Sequence, residues 1–95
     1  MNVLHTLNQS PNDSARHQLV MDYAAAGDGL LLMQDAVVAA TLPEFAGLAE
    51  ARPCYVLKED LQARGLLNRI LAPITVIDYP QFVDLTLQYD KVQAW

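Results

Sequence analysis

The chain is poor in several residue types, and each scarcity excludes something. It has one cysteine, Cys54. A lone thiol cannot close an internal disulfide or build a CxxC metal or redox site. It fits a reducing compartment, most simply the cytosol. Lysine and arginine number six against eleven acids, for a net charge of -5. Nucleic-acid binders concentrate basic side chains against the phosphates. Here they are scattered, so no direct grip on nucleic acid is expected. No apolar run approaches the ~20 residues that a membrane-spanning helix needs, so no membrane partner is expected. The N-terminus lacks a cationic stretch followed by a long apolar one, so no signal peptide is expected and Met1 reads as a native start. Only four glycines are present. None forms a glycine-rich phosphate loop after the first strand, which argues against a nucleotide cofactor. No cofactor and no metal is expected.

What is present is apolar material in short blocks. Of the 95 residues, 53% are apolar, enough for one modest core in a single domain spanning residues 1–95. Residues 2–7 read as a strand, broken at Asn8-Gln9-Ser10-Pro11-Asn12-Asp13. Asp13 or Ser14 can cap a helix in which Ala15, Leu19, Tyr23 and Ala26 recur at helical spacing, with Gly27 as its stop. Gly29-Leu30-Leu31-Leu32-Met33-Gln34 suits a strand covered on both faces. Asp35 then caps a helix through Val37, Val38 and Ala40. Thr41-Leu42-Pro43 interrupts it, and a short helical segment resumes from Glu44 to Ala51. Pro53-Cys54-Tyr55-Val56-Leu57 is a third strand. Lys58-Glu59-Asp60 opens a short helix, with acids in its favourable first turn, and Gly65 ends it. Leu66 to Leu71 allow a further half-turn or two. Ile74-Thr75-Val76-Ile77 is a β-branched fourth strand. After Asp78 and Tyr79, Pro80 starts a last helix with Phe82, Leu85 and Tyr89 on one face and Val83 and Leu87 flanking it. Lys91 to Trp95 read as a tail. The alternation predicts an α/β domain: a mainly parallel sheet of about four strands with helices on both faces.

Ligands of open α/β sheets bind beyond the carboxyl ends of the strands. Those ends carry His5-Thr6, Gln34-Asp35, Lys58-Glu59-Asp60 and Asp78-Tyr79. The first reading of this acidic rim is helix capping. A small ligand held by Asp35, Glu59 and Asp78, or a two-carboxylate hydrolase built from them, is the alternative. Histidine is the usual general base near neutral pH, so His5 is a candidate, but with no serine or cysteine beside it in sequence it reads as structural, bonded to a loop carbonyl. His17 lies on a solvated helix and is given no role. Cys54 stands at the amino end of its strand, opposite the rim. Transfer of sulfur needs an exposed thiolate near positive charge, so Cys54 reads as a buried structural thiol, with a persulfide carrier as the rival. Trp95 ends an apolar tail that either docks on its own domain or meets a partner.

Four segments, in order, carry a resemblance. They are Leu4-His5-Thr6-Leu7-Asn8-Gln9-Ser10-Pro11, Gly27-Asp28-Gly29-Leu30-Leu31-Leu32-Met33-Gln34-Asp35, Tyr55-Val56-Leu57-Lys58-Glu59-Asp60-Leu61-Gln62-Ala63-Arg64-Gly65-Leu66, and Thr75-Val76-Ile77-Asp78-Tyr79 with Phe82-Val83, Leu85-Thr86 and the ending Gln93-Ala94-Trp95. Together they resemble the TusB/DsrH family of sulfur-relay proteins across nearly the whole chain. The resemblance implies a DsrE/DsrF/DsrH-like fold. It also implies a cytosolic complex with TusC-like and TusD-like subunits, a dimer of heterotrimers that passes persulfide sulfur towards 2-thiouridine at the tRNA wobble position. The relay cysteine would belong to the TusD-like subunit. Some DsrH-type members of sulfur oxidisers carry a cysteine on the first helix, where this chain reads Gln18-Leu19-Val20-Met21. The expectation is a non-catalytic structural subunit. Phe82, Leu85, Tyr89 and Trp95 are its candidate contacts.

Overall fold

The computed structural model describes residues 2–12, 15–45, 50–71 and 73–95. Five strands form one sheet: β1 (Val3–Leu7), β2 (Gly29–Leu32), β3 (Cys54–Leu57), β4 (Thr75–Ile77) and β5 (Lys91–Ala94). Their order across the sheet is β4-β3-β2-β1-β5, and every pairing is parallel. Among the described residues, α1 (Arg16–Tyr23), α2 (Lys58–Ala63) and α3 (Tyr79–Gln88) alternate with the strands, together with 3₁₀ segments at Gln34–Thr41, Pro43–Phe45 and Leu67–Arg69. The expected helix caps at Asp13 and Ser14, and part of the segment from Glu44 to Ala51, lie outside the described residues.

The order explains the two faces. The connections β1-α1-β2, β2-β3 and β3-α2-β4 all step the same way across the sheet, so right-handed crossovers put their helical segments on one side. The connection from β4 back to β5 runs the opposite way, which puts α3 on the other side. Side chains follow the strand alternation. Leu7, Leu30, Leu32, Cys54 and Val56 pack with Val20, Ala36, Val37, Ala39, Ala40 and Leu61 on the first side. Leu4, Leu31, Leu57 and Ile77 pack under Leu85 of α3 on the second, with Met33, Tyr55, Phe82 and Tyr89 half-buried at its margin.

Local chemistry sets most boundaries. α3 opens with a capping box: Asp78 accepts from the Gln81 amide at 2.9 Å, and the Gln81 side chain accepts from the Asp78 amide at 2.9 Å. α2 ends in a Schellman motif, with Gly65 at φ 67°, the Gly65 amide donating to Gln62 and the Leu66 amide to Leu61. The segment after β2 departs from expectation. It is 3₁₀ rather than α-helical, and Asp35 makes no cap. Three residues per turn stack its side chains in columns. Ala36 with Ala39 and Val37 with Ala40 are buried, while Asp35 is exposed and Val38 and Thr41 are half-buried. Small side chains let this tight helix lie against β2 and β3.

The tail is the main correction. Lys91–Ala94 is a fifth strand paired with β1 in the register Val3↔Lys91 to Thr6↔Ala94. α1 also differs. It buries His17 and Val20, while Leu19 and Tyr23 are 53% and 68% exposed.

Gly29 opens β2 directly beneath Tyr89, and a Cβ there would overlap the phenol, meeting its Cζ at 2.6 Å. Gly29→Ala is expected to destabilise the domain by about 1–3 kcal/mol. In a Tyr89→Ala background, the same substitution should lose more than half of that cost. Urea denaturation of the four proteins in the cycle measures both.

Candidate functional site

The carboxyl rim is closed by its own hydrogen bonds. Gln34 turns the chain out of β2 at φ 51°, a backbone setting uncommon outside glycine, asparagine and aspartate. Its amide donates to Asp60 Oδ2 at 2.7 Å. Arg64 Nη2 donates to Asp35 Oδ1 at 2.8 Å, and Arg64 Nη1 pairs more loosely with Asp60 Oδ1 at 3.9 Å. These pairs are largely exposed and individually weak. Glu59 Oε2 accepts from the Tyr79 amide at 3.2 Å, and its Oε1 is buried without a hydrogen-bond partner. Asp78 is engaged in its capping box. Asp35, Glu59, Asp60 and Asp78 thus bind backbone amides or Arg64. Among the described residues, no group of three or more His, Cys, Asp or Glu side chains could hold a metal ion.

A buried polar relay lies elsewhere. Asp28, just before β2, is 4% exposed and accepts three hydrogen bonds: Val3 N at 3.0 Å, Ala25 N at 3.0 Å and His5 Nε2 at 2.7 Å. Burial raises the cost of its charge. His5 and the two amides outweigh that cost and hold the carboxyl below its ordinary value. His5 is 1% exposed. Its Nδ1 accepts from the Trp95 indole at 3.0 Å. An indole N–H only donates, so Nδ1 is unprotonated and Nε2 carries the hydrogen given to Asp28. The Trp95 amide donates to Thr6 O at 3.0 Å. The Trp95 ring meets Tyr23 edge-on at 5.4 Å and His5 at 5.9 Å. The tail therefore docks on its own domain. His5 bonds a carboxylate and an indole, where a loop carbonyl was expected.

His17 is corrected from a solvated to a buried residue, 4% exposed. Its Nε2 donates to the Gln9 carbonyl at 2.7 Å and its ring lies 5.6 Å from Phe45. Burial lowers its pKa, and the Gln9 bond offsets part of that. Sequence reasoning missed Asp28 entirely. The only signal was an acid in a loop between a stop glycine and a strand, which usually means a turn.

Cys54 is 4% exposed, in register with Leu30 inside the core, and burial pushes its thiol up to about 12. Of the candidate contacts, Leu85 is 5% exposed and faces the sheet, with Phe82 and Tyr89 half-buried against the same cluster. Trp95 packs on the opposite cluster. The outward side of α3 instead shows Tyr79, Val83 and Leu87.

Comparison with known proteins gives a consistent neighbourhood. The family model described as "DsrH like protein" matches residues 9–92. Protein TusB of Erwinia tasmaniensis is 42% identical over 96 residues, covering 98% of this chain and 100% of that one. Protein TusB of Shigella flexneri is 41% identical over 102 residues, with the same coverage. Among solved structures, the ychN protein from E. coli superposes with a TM-score of 0.79 at 18% identity, over 100% of this chain and 99% of that one. The protein of unknown function MTH1491 from Methanobacterium thermoautotrophicum gives 0.65 at 14%, over 97% of each. At these identities the structural likeness carries the fold alone.

The buried groups set a two-step acid response. His17 has a lowered folded value, so its stabilisation is complete above about 6.5 and is lost as pH falls from there, because the unfolded chain takes the proton first. Asp28 also has a lowered folded value, so its contribution is present above about 3.8 and is lost below it. Urea midpoints against pH should show both windows. His17→Gln should remove the upper one. Asp28→Asn should cost about 2–3 kcal/mol at pH 7, and this difference should shrink below the lower window.

Proposed function

The chain belongs to the DsrH-like family, and from that premise we propose that it is a non-catalytic structural subunit of a TusBCD-like sulfur-relay complex. The complex supports 2-thiolation of the wobble uridine of tRNA, and its partners are TusC-like and TusD-like subunits in a dimer of heterotrimers. It operates in the cytoplasm.

One observation carries the structural role. Persulfide transfer requires a thiolate that a donor can reach. The single sulfhydryl of this sequence, Cys54, is enclosed by Leu30, Val56 and the rest of the first core and stays protonated at neutral pH with a pKa of about 12. Sulfur would then be handled on a partner, and this chain would act through its surface. The net charge of -5 supports work on tRNA without direct contact with it. No helix among the described residues is long and apolar enough to cross a membrane.

Two measurements test this reading. Incubation with a persulfide donor and intact-mass spectrometry should show no added sulfur on the native chain, and iodoacetamide should label Cys54 only after unfolding. In cells lacking the gene, loss of wobble 2-thiouridine should be reversed by the wild-type chain and equally by Cys54→Ala. A folded Cys54→Ala chain that fails to restore thiolation would overturn the proposal.

A further inference from the structure

The outward side of α3 is the feature that the fold leaves unexplained. Tyr79, Val83 and Leu87 recur at i, i+4 and i+8, and are 48%, 59% and 81% exposed. Residues at this spacing stand one above another as a single strip. The inward side of the same helix is already apolar, through Phe82, Leu85 and Tyr89. A surface helix normally turns polar residues outward. This one is apolar on both sides, although a capping box starts it and a packed core holds it. Val92, 42% exposed, pairs in register with Leu4 and so faces the same side of the sheet.

The charged residues of α3 and of the turn that follows it are acidic, and the next cation along the chain, Lys91, alternates with Val92 and so faces the other side of the sheet. From Tyr79 to Asp90 the sequence contains Asp84 and Asp90 and neither lysine nor arginine. Two copies of this chain meeting through the strip would set Asp84 of one against the acids of the other, between two molecules each of net charge -5. Like charges placed together across an interface penalise such pairing. A groove that is apolar at its floor and rimmed by lysine or arginine satisfies both features at once. It receives the three anchors as a helix in a groove and neutralises the aspartates.

We propose that the Tyr79-Val83-Leu87 strip of α3 is the docking surface for a different protein subunit, one presenting an apolar groove with a basic rim. This rests on the hetero-complex reading above and adds to it the face that is used and the chemistry of the partner. The exposed pair Leu19 and Tyr23 on α1 makes a natural control. It lies on the other side of the sheet, on a helix that carries both Arg16 and Asp22 and so has mixed charge.

The test uses full-length chain with purified TusC-like and TusD-like subunits from the same organism, followed by light scattering and calorimetric titration. Val83→Asp and Leu87→Asp are each expected to raise Kd by about 30-fold or more. Leu19→Asp should stay within about threefold of wild type. Asp84→Lys should weaken binding and flatten its salt dependence. Urea midpoints show whether each variant folds, and Leu87→Ser replaces Leu87→Asp if the latter shifts the midpoint. If wild type assembles and the two α3 variants assemble equally well, the docking surface is elsewhere, while the hetero-complex reading stands. If wild type binds neither subunit, both ideas fall. A wild-type chain that dimerises through Leu87 in preference to binding them would replace the basic partner with a second copy and overturn the proposal.

Discussion

The bonds from Asp28 through His5 to Trp95 tie the last strand and the turn before β2 to the first strand. β5 is an edge strand whose side chains bury little: Lys91, Val92 and Ala94 are exposed and Gln93 is half-buried. Parallel ladder bonds alone give a short edge strand modest stability. Its position is fixed at both ends. At its start, the Asp90 amide donates to Asn2 O at 3.0 Å and the Asn2 amide donates to Asp90 Oδ2 at 2.8 Å. At its end, the Trp95 indole donates to His5, whose orientation Asp28 sets. Asp28 also collects amides from Val3 and Ala25, so one carboxylate positions the first strand, the turn before β2 and the last residue of the chain. Replacing any member leaves a buried polar atom without a partner, which costs more than the bond itself contributes.

Closing the sheet with β5 has a consequence for the surface. The last connection must carry the chain back across the whole sheet, and crossover handedness sends it over the side that the other connections leave bare. That side has one ten-residue helix as its described cover, against α1, α2 and the 3₁₀ segment on the other. α3 must therefore cover an apolar sheet alone while its back meets solvent. Its inward stripe accounts for Phe82, Leu85 and Tyr89. The outward strip has no such account within the monomer, and exposed apolar area of this kind is what partner-binding surfaces present.

Most of the fold was legible in the sequence because its signals are local. Continuous apolar runs such as Leu30-Leu31-Leu32 mark buried parallel strands, and Gly65 and Asp78 mark helix ends through backbone chemistry that needs no distant partner. What was hidden depends on contacts far apart in the chain. Lys91-Val92-Gln93-Ala94 lacks the apolar density of a strand and becomes one because β1 offers a free edge and Trp95 finds His5, 90 residues away. His17 reads as part of a solvated helix, yet the loop carbonyl of Gln9 gives its ring a buried partner. Ala15, Leu19 and Tyr23 mimic an inward stripe at correct spacing. The real one is offset, through His17, Val20 and the half-buried Ala24, since a polar ring with a satisfied nitrogen can occupy a core position. Of the rim acids, Asp78 caps a helix as expected, while Asp35 caps nothing and pairs with Arg64 instead.

The placement of reactive groups supports a scaffold in a further way. Groups that could do chemistry must be free to change protonation or partner during a reaction. His5 has both ring nitrogens engaged, by a carboxylate and an indole. His17 donates to a carbonyl from a buried site. Cys54 is sealed in hydrocarbon. Moving any of the three would break the sheet edge, the loop after β1 or the core. The surface of α3, by contrast, keeps Tyr79, Val83 and Leu87 in water beside Asp84. The inner groups hold the shape, and in the proposed reading the outer face of α3 is where that shape meets a partner.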